Sequence, residues 1–232
     1  MEPGYYVESD NIDLHVWDIN PLETVDSKAI FENYRLRHHI TKKDAILDIG
    51  CGPGVMVKVF HDNGFKVLGV DLNRQAIDRS LKAGLPVELI DAVEAIRKYK
   101  KEYTVFHMSD FVEHIPLPVF ITILSEIASI DNALVYIVTP NLDSLMGFKF
   151  WFHMPSHITP LHPFVLYKAL SQKGFDVVDS WTEYGALPGK GWKLKFRKFV
   201  LRKLLGTQAD LFFGGANICI VARAGSTNTN VR

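Results

Sequence analysis

A glycine-rich segment is the part of this 232-residue chain whose residue types and spacing could bind a small ligand. Residues 48–54 read DIGCGPG and lie between an apolar run of strand length and a helical pattern. Glycines at such a junction let the backbone turn tightly and approach a ligand at the carboxyl end of a strand. The GxGxxG spacing of dinucleotide-binding loops would require glycine at position 55, where this chain has Val55.

An acidic residue, Asp71, ends the next apolar run in the sequence GVDLN. A carboxylate at this place can accept hydrogen bonds from both hydroxyls of an adenosine ribose. Three glycines and two acids at consecutive strand ends are more than a tight strand-to-helix turn requires. The pattern therefore indicates a ligand site.

The elements that position these residues follow an alternating pattern. The predicted strands are residues 45–49, 66–70, 87–90, 103–108 and 133–139, and the predicted helices are 54–63, 74–83, 92–99 and 116–130. Strands that alternate with helices of this length predict repeated βαβ units and a parallel sheet covered on both faces.

The flanking segments complete one domain. Ahead of the first strand, residues 27–40 have the pattern of an amphipathic helix that could cover part of the site. Residues 141–160 are interpreted as a loop, 163–172 as a helix, 175–181 and 217–223 as the last two strands, and 183–215 as an insertion. We thus predict an N-terminal cap at 1–40, one domain at 41–223 and a polar tail at 224–232.

Composition excludes several classes of protein. The 26 basic and 26 acidic side chains cancel, so the overall basic footprint of a nucleic-acid-binding protein is absent. Two cysteines, Cys51 and Cys219, are too few for a disulfide framework or a four-cysteine zinc site. The N-terminus lacks the apolar run of a secretory signal, and no segment has the uninterrupted apolar length of a membrane span. These features predict a cytoplasmic protein.

The ordered motifs resemble the class I S-adenosylmethionine-dependent methyltransferases, in the small-molecule branch of the ubiquinone-type O-methyltransferases. The resemblance rests on residues 48–54, Asp71, residues 91–92 and residues 107–115 (HMSDFVEHI), and it covers about residues 27–223. It implies a Rossmann-like, doubly wound α/β fold. The implied sheet has seven mostly parallel strands with an antiparallel final strand, and helices lie on both of its faces.

The resemblance also implies a cofactor, S-adenosylmethionine, with S-adenosylhomocysteine as the product. The glycine loop would hold the methionine part, Asp71 the ribose and Leu72 the adenine, while the turn after the third strand and the fourth strand would supply further contacts. The cofactor-binding residues implied in this way are Asp48, Gly50, Cys51, Gly52, Asp71, Leu72, Asp91, Ala92, Met108 and Ser109.

Two histidines are candidates for removing a proton from an acceptor hydroxyl. His114 lies just past the fourth predicted strand and His157 lies in the loop expected to face the acceptor; the alternative for each is a hydrogen bond that orders its loop. The spacing of His153 and His157 would suit a metal only on a helix, which Pro155 and Pro160 oppose, so no metal site is predicted.

A basic segment interrupts the last two strands. Residues 190–203 (KGWKLKFRKFVLRK) contain seven basic residues and no acid. On a helix, Trp192, Phe196 and Phe199 share an arc, which is typical of a helix that contacts an anionic membrane surface or a lipid-linked acceptor. A cap helix that packs this arc on the domain, with its charges in water, is favoured over such a contact, and contact with nucleic acid has the least support.

The sequence thus favours an enzyme that methylates a small molecule, on oxygen because histidine bases are present, with nitrogen and carbon left open. A regulatory protein that binds the cofactor without turnover is one alternative. An RNA methyltransferase is another, although the Pro-Pro motif of amino-methylating nucleic-acid enzymes does not follow the fourth strand. The sequence names neither the acceptor nor the oligomeric state.

Overall fold

The protein is described by a computed structural model covering residues 21–185, 192–206 and 214–225. Its strands are β1 (Ala45–Ile49), β2 (Lys66–Asp71), β3 (Val87–Leu89), β4 (Val105–Ser109), β5 (Leu134–Pro140), β6 (Phe175–Gly185) and β7 (Gly215–Ala224). Its α-helices are α1 (Ser27–Asn33), α2 (Val55–Asp62), α3 (Arg74–Lys82), α4 (Ala92–Tyr99), α5 (Leu117–Ala128), α6 (Leu145–His153), α7 (Pro163–Gln172) and α8 (Trp192–Leu205).

The strands form one seven-stranded sheet in the order β3-β2-β1-β4-β5-β7-β6. Strands β1 to β5 pair in parallel, whereas β7 runs antiparallel to both of its neighbours, β5 and β6. This topology confirms the predicted doubly wound α/β fold with a mostly parallel sheet and an antiparallel final strand.

The core lies on both faces of the sheet. Every residue of β1 and β5 is buried. Adjacent residues of β1, Ile46 and Leu47, belong to different apolar clusters, because successive side chains of a strand point to opposite faces. Burial on both faces explains why these strands read as continuous apolar runs in the sequence.

The predicted helix at 27–40 is wrong in its second half. Helix α1 ends at Asn33, Tyr34 is extended, and a 3₁₀ turn follows at Arg35–His38. The break has a packing reason: Tyr34 hydrogen-bonds into the interior and Leu36 is fully buried, and residues two apart cannot face the same side of an α-helix.

The predicted loop at 141–160 is also wrong, because it contains α6. Ser144 caps this helix by accepting a hydrogen bond from the Gly147 N–H. The helix lacks an apolar stripe: Phe148, Phe150 and Phe152 are all exposed, so its sequence has no amphipathic period from which to predict it.

Several predicted segments fall partly outside the described residues. These are the terminal segments, at 1–20 and 226–232, and the insertion, at 186–191 and 207–213. Within the insertion, β6 extends to Gly185 and α8 occupies Trp192–Leu205. None of the helices in the described ranges has the length and apolar character needed to cross a membrane. The division into cap, domain and tail stays a prediction.

Gly147 allows α6 to pack directly against the sheet. A Cβ at this position would lie 2.0 Å from the Asn141 carbonyl oxygen and 2.7 Å from that of Ala216. Both of these oxygens belong to the backbone, so the clash cannot be relieved by a change of side-chain rotamer.

We therefore expect Gly147→Ala to lower the free energy of unfolding by about 1–3 kcal/mol, the usual cost of overpacking. Lys149→Ala, at an exposed position of the same helix, is the matched control and should leave stability nearly unchanged. Thermal unfolding monitored by circular dichroism measures both variants. Equal midpoints for Gly147→Ala and the wild type would show that α6 does not pack as described.

Candidate active site

The glycine loop lies between β1 and α2. Gly50 has a φ of 71°, in the left-handed region that glycine adopts most easily. A Cβ there would also lie 2.3 Å from a ring carbon of Phe111, so the site has neither the backbone conformation nor the space for another residue. The loop thus passes close to the carboxyl end of β4, as its glycine content predicts.

Asp71 fixes this loop from the neighbouring strand. One carboxylate oxygen accepts the Gly52 N–H at 2.8 Å and the other accepts the Asn73 N–H at 2.7 Å. The predicted ribose-binding carboxylate therefore lies beside the glycine loop, and the adjacent Leu72 is exposed. Loop and carboxylate form one rigid unit at the carboxyl ends of β1 and β2.

The other predicted cofactor residues differ in how accessible they are. Asp91 caps α4 by accepting the N–H groups of Val93 and Glu94 at 2.8 and 3.2 Å. Ser109 lines a cavity, whereas Met108 is fully buried in the core, so its side chain has no surface to offer a ligand. Cys51 is buried too, and burial raises the pKa of its thiol, which makes it a packing residue rather than a nucleophile.

A cavity of about 520 Å³ opens at the carboxyl ends of β4 and β5. Helix α1 forms one wall, and the ends of the sheet strands form the opposite one. The lining residues are Ala29, Ile30, Asn33, Tyr34, Met56, Ser109, Asp110, Val138, Glu183 and Asn217. Ligands of open α/β sheets bind in a crevice at this edge, and the volume suits a small molecule.

Asp110 has an unusual backbone on the cavity wall. Its φ of 51° is left-handed, a conformation that few non-glycine residues adopt and that clusters at functional sites. The Asp110 N–H donates to the Val138 carbonyl at 2.9 Å, which extends the β4–β5 pairing by one residue and holds this conformation.

His114 and His157 lie against each other, with ring centroids 4.7 Å apart. The Nδ1–H of His114 donates to the Ser156 carbonyl at 3.2 Å, and that of His157 donates to the Trp151 carbonyl at 3.0 Å. These bonds leave Nε2 of each ring as the nitrogen with a lone pair. Burial lowers the pKa of both histidines, which favours the neutral rings.

Glu113 is buried beside this pair. Its Oε2 accepts a hydrogen bond from Thr139 at 3.0 Å, while Oε1 is buried and has no hydrogen-bond partner among the described residues. Burial raises the pKa of Glu113 to about 8. An orphaned oxygen of this kind is costly unless it carries a proton or gains a partner.

Together, Glu113, His114 and His157 could hold a divalent cation, because one ligand atom of each lies within 4.8 Å of the others. Two imidazoles and one carboxylate are ligands that zinc and similar metals accept. The set shares His157 with the pair considered in the sequence, whereas His153 ends α6 and is not part of it. The contact joins distant segments, and the sequence-based prediction of no metal site stays a prediction.

A family model described as a methyltransferase domain matches residues 29–180, more than half of the chain. The protein belongs to this methyltransferase family. The match runs from α1 to β6 and includes the glycine loop, Asp71 and the histidine pair.

Comparisons with individual proteins agree with this assignment. The methyltransferase is 32% identical over 109 residues to a ubiquinone biosynthesis O-methyltransferase of Burkholderia vietnamiensis, which covers 44% of this chain and 43% of that protein. The chain spans less than half the length of the curated relatives it matches. A SAM-dependent methyltransferase from Archaeoglobus fulgidus has the same fold, with a TM-score of 0.69 and 24% identity over 85% of this chain and 94% of that one.

The structure adds candidate site residues that the sequence does not single out. Glu113 was noted only as part of a motif, although its place next to His114 was a usable signal. The cavity residues Tyr34, Asp110 and Glu183 come from separate segments, and nothing local in the sequence relates them. The predicted roles of the cofactor residues and of the two histidines stay predictions.

Asp71→Ala should weaken binding of S-adenosylhomocysteine at least tenfold, because one charge-assisted hydrogen bond contributes about 1.5–3 kcal/mol. The loss also frees the Gly52 N–H and so loosens the loop. Calorimetry measures the affinity, with Asp78→Ala, an exposed acid on α3, as the control of equal charge change. Saturable binding of NAD without any response to S-adenosylmethionine would contradict the predicted cofactor.

Proposed function

We propose that this protein transfers the methyl group of S-adenosylmethionine to an oxygen of a small-molecule acceptor and releases S-adenosylhomocysteine. The observation that carries the proposal is the placement of the cavity: it opens at the carboxyl edge of the sheet, where the glycine loop and Asp71 also lie. The names of the curated relatives, ubiquinone biosynthesis O-methyltransferases, support oxygen as the acceptor atom.

The protein's main task in such a reaction is to position the two reactants. The cofactor brings a reactive sulfonium, so holding the acceptor oxygen in line with the methyl group supplies much of the acceleration. The two walls of the cavity, α1 and the ends of β4 and β5, are suited to this because both belong to ordered elements. Asn33 and Asn217 add hydrogen-bonding amides to the lining.

An acceptor hydroxyl must also lose its proton. In this proposal, His114 or His157 accepts that proton at Nε2, the atom that its backbone hydrogen bond leaves unprotonated. Because burial lowers both pKa values, the rings are neutral and able to accept a proton at pH 7. The Asp110 carboxylate on the cavity wall favours the charged form of His157, so it would stabilise the proton once transferred.

Incubation with labelled S-adenosylmethionine and a metabolite extract tests the function. Mass spectrometry of the labelled product should identify a small methylated compound, and the Asp71→Ala protein should form much less of it. Cofactor binding without any labelled product would favour a regulatory protein without turnover. Label in RNA rather than in small molecules would favour an RNA methyltransferase.

With the acceptor identified, alanine at the catalytic histidine should lower turnover about 100-fold or more, the usual contribution of a general base. Cofactor affinity should barely change. Because burial holds the pKa of both rings below the ordinary value of histidine, wild-type turnover should fall on the acidic side only below the pH at which a free histidine gains its proton. His153→Ala, at the exposed end of α6, is the control. Near-normal turnover of both His114→Ala and His157→Ala across pH would mean that positioning alone is responsible.

Treatment with a chelator distinguishes a histidine that acts as a general base from a histidine that binds a metal ion. If Glu113, His114 and His157 bind a divalent cation, treating the wild-type enzyme with a chelator should reduce turnover as strongly as His114→Ala does, and adding the metal should restore it. If the histidines act as bases, chelation should leave turnover unchanged.

We also propose that α8 contacts an anionic membrane surface or a lipid-linked acceptor. The predicted helix is present, and Trp192, Phe196 and Phe199 are 72%, 59% and 58% exposed in the described part of the chain. Exposure of these rings disfavours the alternative in which the apolar arc packs on the domain. A peripheral contact of this kind is compatible with the cytoplasmic location that the sequence predicts.

Replacing Lys193, Lys195, Arg197 and Lys198 with glutamine should reduce co-sedimentation with phosphatidylglycerol vesicles at least tenfold, since each basic residue near an anionic surface contributes about 1 kcal/mol. Binding of the wild type should weaken as salt is added. The control replaces four exposed lysines in the rest of the chain, Lys28, Lys82, Lys100 and Lys101. Equal binding by both variants would assign the attraction to overall charge rather than to α8.

A further inference from the structure

Two buried side chains beneath the cavity, His107 and Asp48, form a hydrogen-bonded row with the partly buried Tyr34. His107 Nδ1 lies 2.6 Å from Asp48 Oδ1, and its Nε2 lies 2.6 Å from the Tyr34 hydroxyl. The side chains of His107 and Asp48 are 0% and 4% exposed. The partners come from β4, β1 and the end of α1, so the row joins three elements that are distant in the sequence.

The direction of these bonds follows from the chemistry of the groups. Burial holds the pKa of Tyr34 well above its ordinary value, so its hydroxyl keeps its proton. A carboxylate can only accept, so His107 carries a proton at Nδ1 and donates it to Asp48. Nε2, the ring nitrogen that Asp48 does not contact, then faces the protonated hydroxyl of Tyr34, which can donate to it. Both ring nitrogens of His107 have a hydrogen-bond partner only while the Tyr34 hydroxyl is present.

Aromatic packing fixes the imidazole in this orientation. Tyr136 stacks on His107 with ring centroids 5.2 Å apart and an interplanar angle of 23°, and Phe60 meets it edge-on at 5.4 Å. The Tyr136 hydroxyl is buried and has no hydrogen-bond partner among the described residues. Two tyrosines therefore contact the same imidazole, but only Tyr34 is hydrogen-bonded to it.

One end of the row, Tyr34, lies in the cavity wall, and the other end, Asp48, lies next to the glycine loop. Tyr34 lines the cavity, while Asp48 pairs with Gly69 and His107 in the sheet and lies two residues before Gly50, where the glycine loop begins. The Asp48 carboxylate also lies close enough to the Cys51 thiol, in that loop, to raise the pKa of the thiol beyond the effect of burial. The row thus provides a physical connection between the cavity wall and the cofactor loop.

We propose that Tyr34 and His107 are positioning residues that hold Asp48, and with it the glycine loop, in the arrangement that binds the cofactor. Tyr34, which follows α1 and also lines the cavity, thereby contributes to cofactor affinity. This inference rests on the proposed cofactor. A purely structural role for the row would affect thermal stability and leave the affinity of the folded protein unchanged.

The test compares Tyr34→Phe with Tyr136→Phe, two losses of a buried hydroxyl from rings that contact the same histidine. Calorimetric titration with S-adenosylhomocysteine, well below the unfolding midpoint of each variant, should show about a 3–10-fold higher Kd for Tyr34→Phe, the effect of one lost hydrogen bond. Tyr136→Phe should match the wild type within about twofold, since the Tyr136 hydroxyl makes no hydrogen bond to His107.

A double-variant cycle checks that the effect passes through His107. The amide of His107→Asn can still donate to Asp48 but cannot span the distance to Tyr34, so Tyr34→Phe should add less than about a twofold change in that background. Equal Kd values for Tyr34→Phe and the wild type would overturn the inference. A wild-type protein that binds no S-adenosylhomocysteine would instead refute the proposed cofactor, so the two failures are distinguishable.

If Tyr34→Phe does not fold, a measurement on the wild type tests whether the row is connected to cofactor binding. In protein labelled with ¹⁵N in the histidine rings, the Nδ1 proton of His107 should give a slowly exchanging, downfield signal. That signal should shift when S-adenosylhomocysteine saturates the protein, because the ligand contacts the loop that Asp48 precedes. An unchanged signal at saturation would overturn the inference.

Discussion

Parallel pairing of β1 with both β2 and β4 is the constraint on which the site depends. Ile49 is in register with Val70, and Asp48 with His107, so the three strands end at one edge of the sheet. The glycine loop and Asp71 therefore emerge as neighbours, and the hydrogen bond from Gly52 to Asp71 follows from this placement. A strand order that separated β1 from β2 would leave the loop without its anchor.

Two sets of contacts hold the end of α1 against this edge of the sheet, and they differ in how much free energy they contribute. On the surface, Arg35 makes two hydrogen bonds to Asp179, at 2.8 and 3.0 Å, and stacks over Trp181. Exposed ion pairs of this kind contribute about 0–1 kcal/mol. Inside, removing Tyr34 from the row would leave a buried imidazole nitrogen unpaired, which costs about 1–3 kcal/mol. The buried contact therefore dominates, and it explains why α1 stops where Tyr34 must turn inward.

Local patterns predicted the fold and the cofactor loop because the causes are local. Burial on both faces makes each parallel strand a continuous apolar run, and the turn at Gly50 requires a residue that accepts positive φ. The missed features depend on contacts across the chain. Tyr34 meets His107 73 positions away, and His114 meets His157 only because residues 156–159 return to the 3₁₀ turn at Val112–His114. Helix α6 was missed for another reason: its exposed aromatic side chains follow no helical period.

One physical cause acts on the acid and the bases of the candidate site in opposite directions. Desolvation raises the pKa of Glu113 to about 8 and lowers the pKa values of His114 and His157, so near neutral pH each of the three groups is driven toward its uncharged form. A proton that reaches one of the imidazoles would therefore create a buried positive charge. A cation bound by Glu113, His114 and His157 would favour the opposite, charged form of the carboxylate. Glu113 Oε1, which is buried without a hydrogen-bond partner among the described residues, is thus the atom at which negative charge would develop if a positive charge entered this cluster.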